Sequence, residues 1–298
     1  MKIIVTGSTG YVGRHLIPVL LGNGHEILEL TRNMDRSLEL FGEQTSKFNI
    51  KEEQSELKKK IEQFDPYILI HLAAFLSAND DYNTLNKLLD ANIFYLCKVL
   101  DAVKDSKLKM FINTGTFAEY SKGDGELKPA YLYAATKMAS RAFLDYYANI
   151  YKFKNINVVP YTIYGGTDTH KKIIDIIIDS IDSNLPIDLT PGEQILDFIH
   201  VDDVVDFYLH LVNNVAILPQ KENFELGTGK GYTLKELAFI IEQLTGKRTN
   251  INWGGKSYRP TDVMYAVANL TNIKKWKPQI DINKGVMLYL RQGYCGKD

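Results

Sequence analysis

Two cysteines in 298 residues leave no basis for a disulfide framework or a thiolate metal cluster. Cys97 falls inside a helical pattern and Cys295 lies near the end, so a reducing compartment, the cytoplasm, is expected. No apolar run approaches the roughly 20 residues of a membrane span, and the start shows no charged leader before a cleavable apolar region. A soluble, unexported protein with no membrane partner follows as the expectation. An excess of one charge is missing too: 35 Lys and Arg stand against 36 Asp and Glu. With no basic stripe interleaved with aromatics, nucleic acid has no electrostatic footprint to bind. Internal repeats and low-complexity segments are absent as well. A small-molecule ligand, held without a metal, is what these absences leave.

What is present is alternation. Short β-branched runs occur at Lys2 to Thr6, Glu26 to Thr31, Tyr67 to Ala73, Met110 to Thr114 and Ile156 to Pro160. Between them, helical patterns cover Tyr11 to Gly22, Ser55 to Gln63, Thr84 to Asp105 and Ala134 to Tyr151. Strand-helix alternation predicts a parallel sheet with right-handed crossovers. Pro18 lies inside the first helical pattern, where its missing donor predicts a bend. After Gly165 the regularity fades to helices near Lys171 to Asp182, from Val201 and from Leu234 to Gly246.

Directly after the first strand comes Gly7-Ser8-Thr9-Gly10-Tyr11-Val12-Gly13. Glycines at a strand-to-helix turn let a pyrophosphate approach the backbone, and the helix dipole favours it there. One such turn in isolation is often only a turn; its place after the first strand makes dinucleotide binding the stronger reading. At the end of the second strand, Leu30-Thr31-Arg32-Asn33 has no acid to hold the ribose 2′-hydroxyl of NAD. A carboxylate repels a 2′-phosphate and an arginine attracts it, so NADP(H) is favoured over NAD(H), with Arg14 as a second cationic contact. Seen alone, Arg32 would be a solvated loop charge.

Tyr133-Ala134-Ala135-Thr136-Lys137 opens a predicted helix, so the tyrosine and lysine rise on one face. A phenol titrates near ~10 in isolation, and a neighbouring ammonium is expected to bring it toward working pH as an acid. With 18 tyrosines in the chain such spacing arises by chance. The preceding Phe111-Ile112-Asn113-Thr114-Gly115-Thr116 strengthens it, because ligands bind beyond the carboxyl ends of parallel strands, where Thr116 would lie.

With these motifs assembled, the chain resembles the extended short-chain dehydrogenase/reductase family, of the NAD-dependent epimerase/dehydratase type, over essentially its whole length. Further marks are His71-Leu72-Ala73-Ala74, Asn92, Pro160-Tyr161-Thr162-Ile163-Tyr164-Gly165, Asp197-Phe198-Ile199-His200-Val201-Asp202-Asp203, Glu225-Leu226-Gly227-Thr228-Gly229 and Tyr258-Arg259-Pro260-Thr261-Asp262. The resemblance implies an α/β Rossmann-type doubly wound parallel sheet with a smaller C-terminal substrate-binding lobe. Residues 1–165 would bind NADP(H), with 198–218 returning to them, and 166–298 would mainly hold a nucleotide sugar. It makes Thr116, Tyr133 and Lys137 catalytic. Around the cofactor it places Gly7, Thr9, Gly10, Tyr11, Val12, Gly13, Thr31, Arg32, Asn49, Ile50, Leu72, Ala73, Ala74, Asn92, Pro160 and Ile163, with Tyr133 and Lys137. Against the substrate it places Thr116, Phe117, Tyr133, Thr162, Gln194 and Arg259, the last gripping a diphosphate bidentately.

Three positions depart from the family pattern: Leu196 replaces a second diphosphate arginine, Asn49 an aspartate that often holds the adenine amino group, and Thr162 a frequent asparagine. A cation from the Lys171-Lys172 segment is expected to take over at the diphosphate. The family's 4,6-dehydratases follow their threonine with an acidic pair, whereas Phe117 and Ala118 stand here. The cysteine of the epimerising reductases is missing as well, which leaves carbonyl reduction. Asn113 to Thr116 and Leu189-Thr190-Pro191-Gly192 further resemble the 4-ketoreductases that complete CDP-paratose, CDP-abequose or dTDP-6-deoxyhexoses. The resulting expectation is an NADPH-dependent 4-ketoreductase of a CDP- or dTDP-linked 4-keto-6-deoxy sugar. A 4-epimerase with bound NAD and a non-catalytic NADP(H) sensor are the alternatives. A homodimer built on Phe94, Tyr95, Phe143 and Tyr147 is also implied by resemblance, although core packing accounts for these side chains equally.

Overall fold

The computed structural model describes residues 1–121, 123, 125–166 and 171–294; Cys295 lies outside them. The first apolar run forms β1 (Lys2–Thr6), whose Ile3, Ile4 and Val5 are fully buried. A strand covered on both faces needs apolar residues without alternation, and this one has them. The other strands are β2 (Glu26–Thr31), β3 (Ser46–Asn49), β4 (Ile68–His71), β5 (Met110–Thr114), β6 (Lys154–Pro160), β7 (Thr162–Tyr164), β8 (Ile187–Leu189), β9 (Ile195–His200), β10 (Lys221–Leu226), β11 (Gly231–Thr233), β12 (Ile251–Trp253) and β13 (Tyr265–Ala266). The helices are α1 (Tyr11–Gly22), α2 (Met34–Phe41), α3 (Gln54–Phe64), α4 (Tyr82–Leu89), α5 (Tyr95–Val103), α6 (Leu132–Tyr151), α7 (Ile173–Ser180), α8 (Val201–Asn213), α9 (Leu234–Thr245) and α10 (Ile282–Tyr294). Among the described residues, no helix is long and apolar enough to cross a membrane.

The chain divides into two compact units. The first comprises residues 1–119, 131–159 and 205–224. Its seven-stranded sheet has the order β10-β6-β5-β4-β1-β2-β3, and β1 pairs in parallel with both β2 and β4. The strand order reverses at β1 and β4, so this is a doubly wound α/β fold with its crevice at the carboxyl ends of those two strands. On one side, Leu57, Ile61, Leu96, Val99, Leu100, Leu144 and Ala148 of α3, α5 and α6 pack with Ile4, Leu28, Leu69 and Phe111 of the strands.

The second unit comprises residues 120–130, 160–204 and 225–298. Within it β9 pairs with β7 and β13 in parallel and with β11 antiparallel, while β8 pairs with β12. Tyr164, Ile174, Ile177, Phe198, Leu237, Ile241 and Val286 form its core. The carboxylate of Asp197, fully buried, accepts hydrogen bonds from the amides of Thr228, Gly229 and Ala268 and from the Thr228 hydroxyl. One anion thus ties β9 to two loops, which makes its burial tolerable.

Strands β1, β2 and β5 and helix α1, which runs through Pro18, have the limits their hydropathy predicts. Hydropathy predicts neither β3 nor β10; these are the two edges of the sheet, where half-buried polar residues replace the apolar run. The single helix predicted over Thr84 to Asp105 is interrupted by a π turn at Asp90–Phe94, which separates α4 from α5. A π turn preserves the side-chain pattern closely enough to be invisible in periodicity, and such turns favour functional positions.

Candidate active site

The turn after β1 meets the backbone of the strand beside it. Gly7 has φ +69°, and a Cβ there would lie 2.6 Å from the Ala73 nitrogen; at Gly13 a Cβ would lie 2.3 Å from the Gly7 carbonyl oxygen. Both positions exclude a side chain, which brings the start of α1 close beneath the switch-point crevice. Gly10 caps α1 without a side-chain hydrogen bond, and the first turn carries no acid. The Ser8 hydroxyl, fully buried, has no hydrogen-bond partner among the described residues. A donor-rich helix start, an unpartnered hydroxyl and two glycines without room for Cβ together fit the diphosphate of a dinucleotide.

Beside this turn lies a cavity of about 390 Å³ lined by residues that include Arg32, Ile50, Ala73, Ala74, Lys87, Asp90 and Tyr95. Four of the residues expected around the cofactor, Arg32, Ile50, Ala73 and Ala74, therefore share one wall. Tyr95 anchors that wall by donating its hydroxyl to the Leu30 carbonyl at 3.3 Å. Arg14, in the first turn of α1, holds its guanidinium 5.9 Å from the Tyr11 ring centre. Thr31 is buried, and its hydroxyl accepts from the Asn33 amide. Asn49 accepts from the Lys51 amide. Thr9, Tyr11 and Val12 are half-buried at the start of α1, and Leu72 donates its amide to the Thr6 carbonyl. Asn92 in the π turn accepts from the Phe75 amide and donates to the Phe75 carbonyl and the Thr136 hydroxyl. Its amide is thus occupied in holding the β4 loop against α6.

Thr116, Tyr133 and Lys137 all belong to the first unit. Thr116 follows β5 and is held from both sides: its amide donates to Glu119 Oε1 at 2.7 Å and its carbonyl accepts from the Glu119 amide at 3.0 Å. Its hydroxyl accepts from the Ala118 amide at 3.3 Å, which leaves the hydroxyl proton to be donated. Tyr133 and Lys137 stand one turn apart on α6, both buried. The lysine was expected to bring the phenol down. Instead burial pushes Tyr133 up, helped by Tyr131 and Glu119. Burial pushes Lys137 down to about 8; Glu119 opposes this and Arg141 adds to it. His71, at the end of β4, is held down to about 3 by burial and by Lys137, and its Nδ1 lies 2.9 Å from the Thr6 hydroxyl. A histidine so placed stays neutral and packs the strand ends.

Pro160, Thr162, Ile163, Gln194 and Arg259 belong to the second unit. The Thr162 hydroxyl is buried on β7 with no partner among the described residues. Gln194 pairs its amide with the Thr190 hydroxyl. Arg259 is exposed, its amide bonded to Asp262. In the segment expected to supply a cation, Lys171 pairs with Asp179 at 2.5 Å, and Lys172 donates to the Ile163 carbonyl. Phe117 is half-buried in the 3₁₀ turn after Thr116.

Two further residues of the first unit stand beside the expected site residues without a motif to mark them. Lys87, on α4, is one more exposed lysine on a polar helix until the fold brings it to the Arg32 cavity. Glu119, which belongs to none of the motifs, is fully buried and ion-paired to Arg141 at 2.6 Å. The order Thr-Phe-Ala-Glu directly after a strand end is the only hint, since an acid in so apolar a context needs a partner.

Residues 3–227 match the sequence profile of the NAD dependent epimerase/dehydratase family. A CDP-abequose synthase of Salmonella typhimurium is 29% identical over 97% of this chain and 97% of its own. One of Yersinia pseudotuberculosis is 30% identical over 92% of this chain and 95% of its own. In fold, a UDP-glucose 4-epimerase of Thermus thermophilus solved with NAD matches all of both chains with a TM-score of 0.85 at 21% identity. The glycine turn at the β1–β4 switch point, the Tyr133/Lys137 helix and this match over most of the length have one consequence: the chain belongs to the NAD dependent epimerase/dehydratase family.

Proposed function

We propose that this protein reduces the 4-keto group of a nucleotide-diphosphate-linked 4-keto-6-deoxy sugar with NADPH. CDP- or dTDP-linked substrates are favoured, in deoxysugar and lipopolysaccharide biosynthesis. The observation that carries the reading is the state of the one carboxylate that follows Thr116. Glu119 is locked between the Thr116 amide and Arg141, and Phe117 and Ala118 carry no acid, so nothing next to the threonine can eliminate water. Likeness over 92–97% of the chain to proteins named CDP-abequose synthase supports the CDP-linked deoxysugar. Arg32 at the end of β2, with Lys87 across the same cavity, supports the 2′-phosphate of NADP(H). The cavity's one acid, Asp90, comes from the π turn and not from the end of β2, where a ribose-binding carboxylate would stand.

The Gly7 to Gly13 turn would hold the diphosphate, Arg32 and Lys87 the adenosine end, and Tyr133 and Lys137 the nicotinamide ribose. When bound, the reduced nicotinamide supplies hydride. Thr116 donates its hydroxyl proton in a hydrogen bond to the sugar carbonyl and polarises it. Tyr133 then transfers its phenolic proton to the alkoxide oxygen and regains one from water. A phenol held high by burial remains protonated until that oxygen becomes more basic, which suits an acid. Lys137 stabilises the transient phenolate from one turn away. Substrate and chain thus exchange one proton, and the keto group becomes a secondary alcohol.

A cytoplasmic homodimer completes the proposal. Phe94 and Phe143 are exposed, and Tyr146 and Ile150 extend the apolar stripe along α6. Tyr95 and Tyr147 are instead drawn into the first unit's core. The test of the activity is incubation with NADPH and a panel of CDP-, dTDP-, GDP- and UDP-linked 4-keto-6-deoxy sugars, with product configuration read by NMR. A 4-alcohol formed from a CDP- or dTDP-linked member is expected; elimination or C4 exchange without cofactor consumption would contradict the proposal.

A further inference from the structure

We propose that Glu119, fixed by Arg141, is a positioning residue for proton transfer, holding the Thr116 backbone and supplying the negative charge that keeps Lys137 a cation. The inference rests on the reductase reading for its chemical meaning, but on the first unit's geometry for its existence.

A carboxylate with no exposed surface is costly unless it is paired and hydrogen-bonded. Burial pushes the Glu119 carboxyl up, and the Arg141 charge on Oε2 and the Thr116 amide on Oε1 oppose that shift. Oε1 accepts the Thr116 amide at 2.7 Å, and Oε2 lies 2.6 Å from an Arg141 nitrogen. The position is prepared on the other side as well. A Cβ on Gly115 would fall 2.6 Å from Glu119 Oε1, so glycine before Thr116 makes room for the carboxylate. Glycine, threonine and glutamate therefore form one packed unit at the end of β5.

Tyr133, Lys137 and Arg141 follow at intervals of four on α6, which puts phenol, ammonium and guanidinium on one face. Two cations one turn apart repel each other, and Glu119, paired with Arg141 at 2.6 Å, brings a counter-charge to this face that also favours the Lys137 ammonium. The groups facing Lys137 are Glu119, which favours its charge, Arg141, which opposes it, Tyr133 one turn before it, and the neutral His71 of β4. Of these only Glu119 stabilises the ammonium. A pair that merely filled the core would be replaceable by apolar side chains at little cost; this one touches Thr116 directly and acts on both members of the tyrosine-lysine pair.

Protein labelled with 13Cε-lysine reports the Lys137 titration directly, with Lys137→Arg identifying the signal. Glu119→Gln keeps an acceptor for the Thr116 amide but removes the charge; Glu119→Gln/Arg141→Met removes both charges. In the folded single variant the Lys137 midpoint is expected to fall by about one pH unit, tenfold in proton affinity. The double variant should lie between it and the unsubstituted protein. The high-pH limb of kcat/KM should move with the midpoint, with KM for the keto sugar nearly unchanged. If the single variant does not fold, the double variant carries the test, since it leaves no uncompensated buried cation. A midpoint unchanged in Glu119→Gln, or one in the double variant at or above the unsubstituted value, would overturn the assignment. Because the titration needs neither substrate nor turnover, a protein without ketoreductase activity would refute the proposed reaction and leave this result readable.

Discussion

Tyr133 and Lys137 have opposite electrostatic problems on one helix face. Burial keeps the phenol protonated and makes the ammonium easy to deprotonate. Tyr133→Phe is expected to lower kcat at least a thousandfold while NADPH binding, followed by cofactor fluorescence, changes less than about threefold. Lys137, charged below about 8 and neutral above, predicts that kcat/KM falls as pH rises through that value. The same depression implies a stability effect. The unfolded chain binds more protons between about 8 and the ordinary lysine range, so the folded state carries a penalty below that window that is relieved as pH rises through it. Lys137→Met should therefore be inactive yet more stable by about 1–3 kcal/mol at pH 7 in chemical denaturation. Arg32→Ala is expected to weaken NADPH binding about ten- to a hundredfold with little change for NADH, measured by titration of each cofactor. At this scale the sequence singles out Thr116, Tyr133, Lys137 and Arg32 as candidates, because motif and strand-end position coincide. Lys87 and Glu119 stay hidden because no motif marks them and the fold brings Lys87 to Arg32 and Glu119 to Arg141.

At the scale of elements, the site depends on how β1 ends and how α4, the π turn and α5 pass beside it. The Gly13 position has no room for a methyl group against the Gly7 and Ser8 carbonyls. Gly13→Ala should thus cost stability, about 1–3 kcal/mol, together with most dinucleotide affinity, checked by thermal unfolding and fluorescence titration. The buried β1, β2 and β5 declare themselves as apolar runs. The edge strands β3 and β10 do not, since an edge can be polar and short. The π turn is similarly silent: one extra residue in a turn leaves hydrophobic spacing almost intact, yet it carries Asn92 to the Phe75 backbone and Thr136. In the second unit, α9 is signalled well, by the Thr233/Glu236 capping box and by Gly246 at φ +68°.

For the whole molecule, alternation of strands and helices suffices to predict the doubly wound sheet. Alternation alone does not show that the chain crosses repeatedly between its two units, entering the first again at residues 131 and 205; the family resemblance is what implied a return over 198–218. Those returns bring α6, most of α8 and most of β10 into the first unit, and α6 brings the tyrosine and lysine. The exposed stripe of Phe94, Phe143, Tyr146 and Ile150 gives a prediction at this scale. Ile150→Glu should shift the sedimenting species from dimer to monomer, while an unchanged mass would remove this face from the assembly. The proposed reduction is tested most sharply by transfer of deuterium from reduced cofactor labelled at nicotinamide C4 to a CDP-linked 4-keto-6-deoxy sugar. One deuterium at sugar C4 is expected for each cofactor oxidised; interconversion of C4 epimers with no deuterium gained and no cofactor consumed would contradict the proposed reduction.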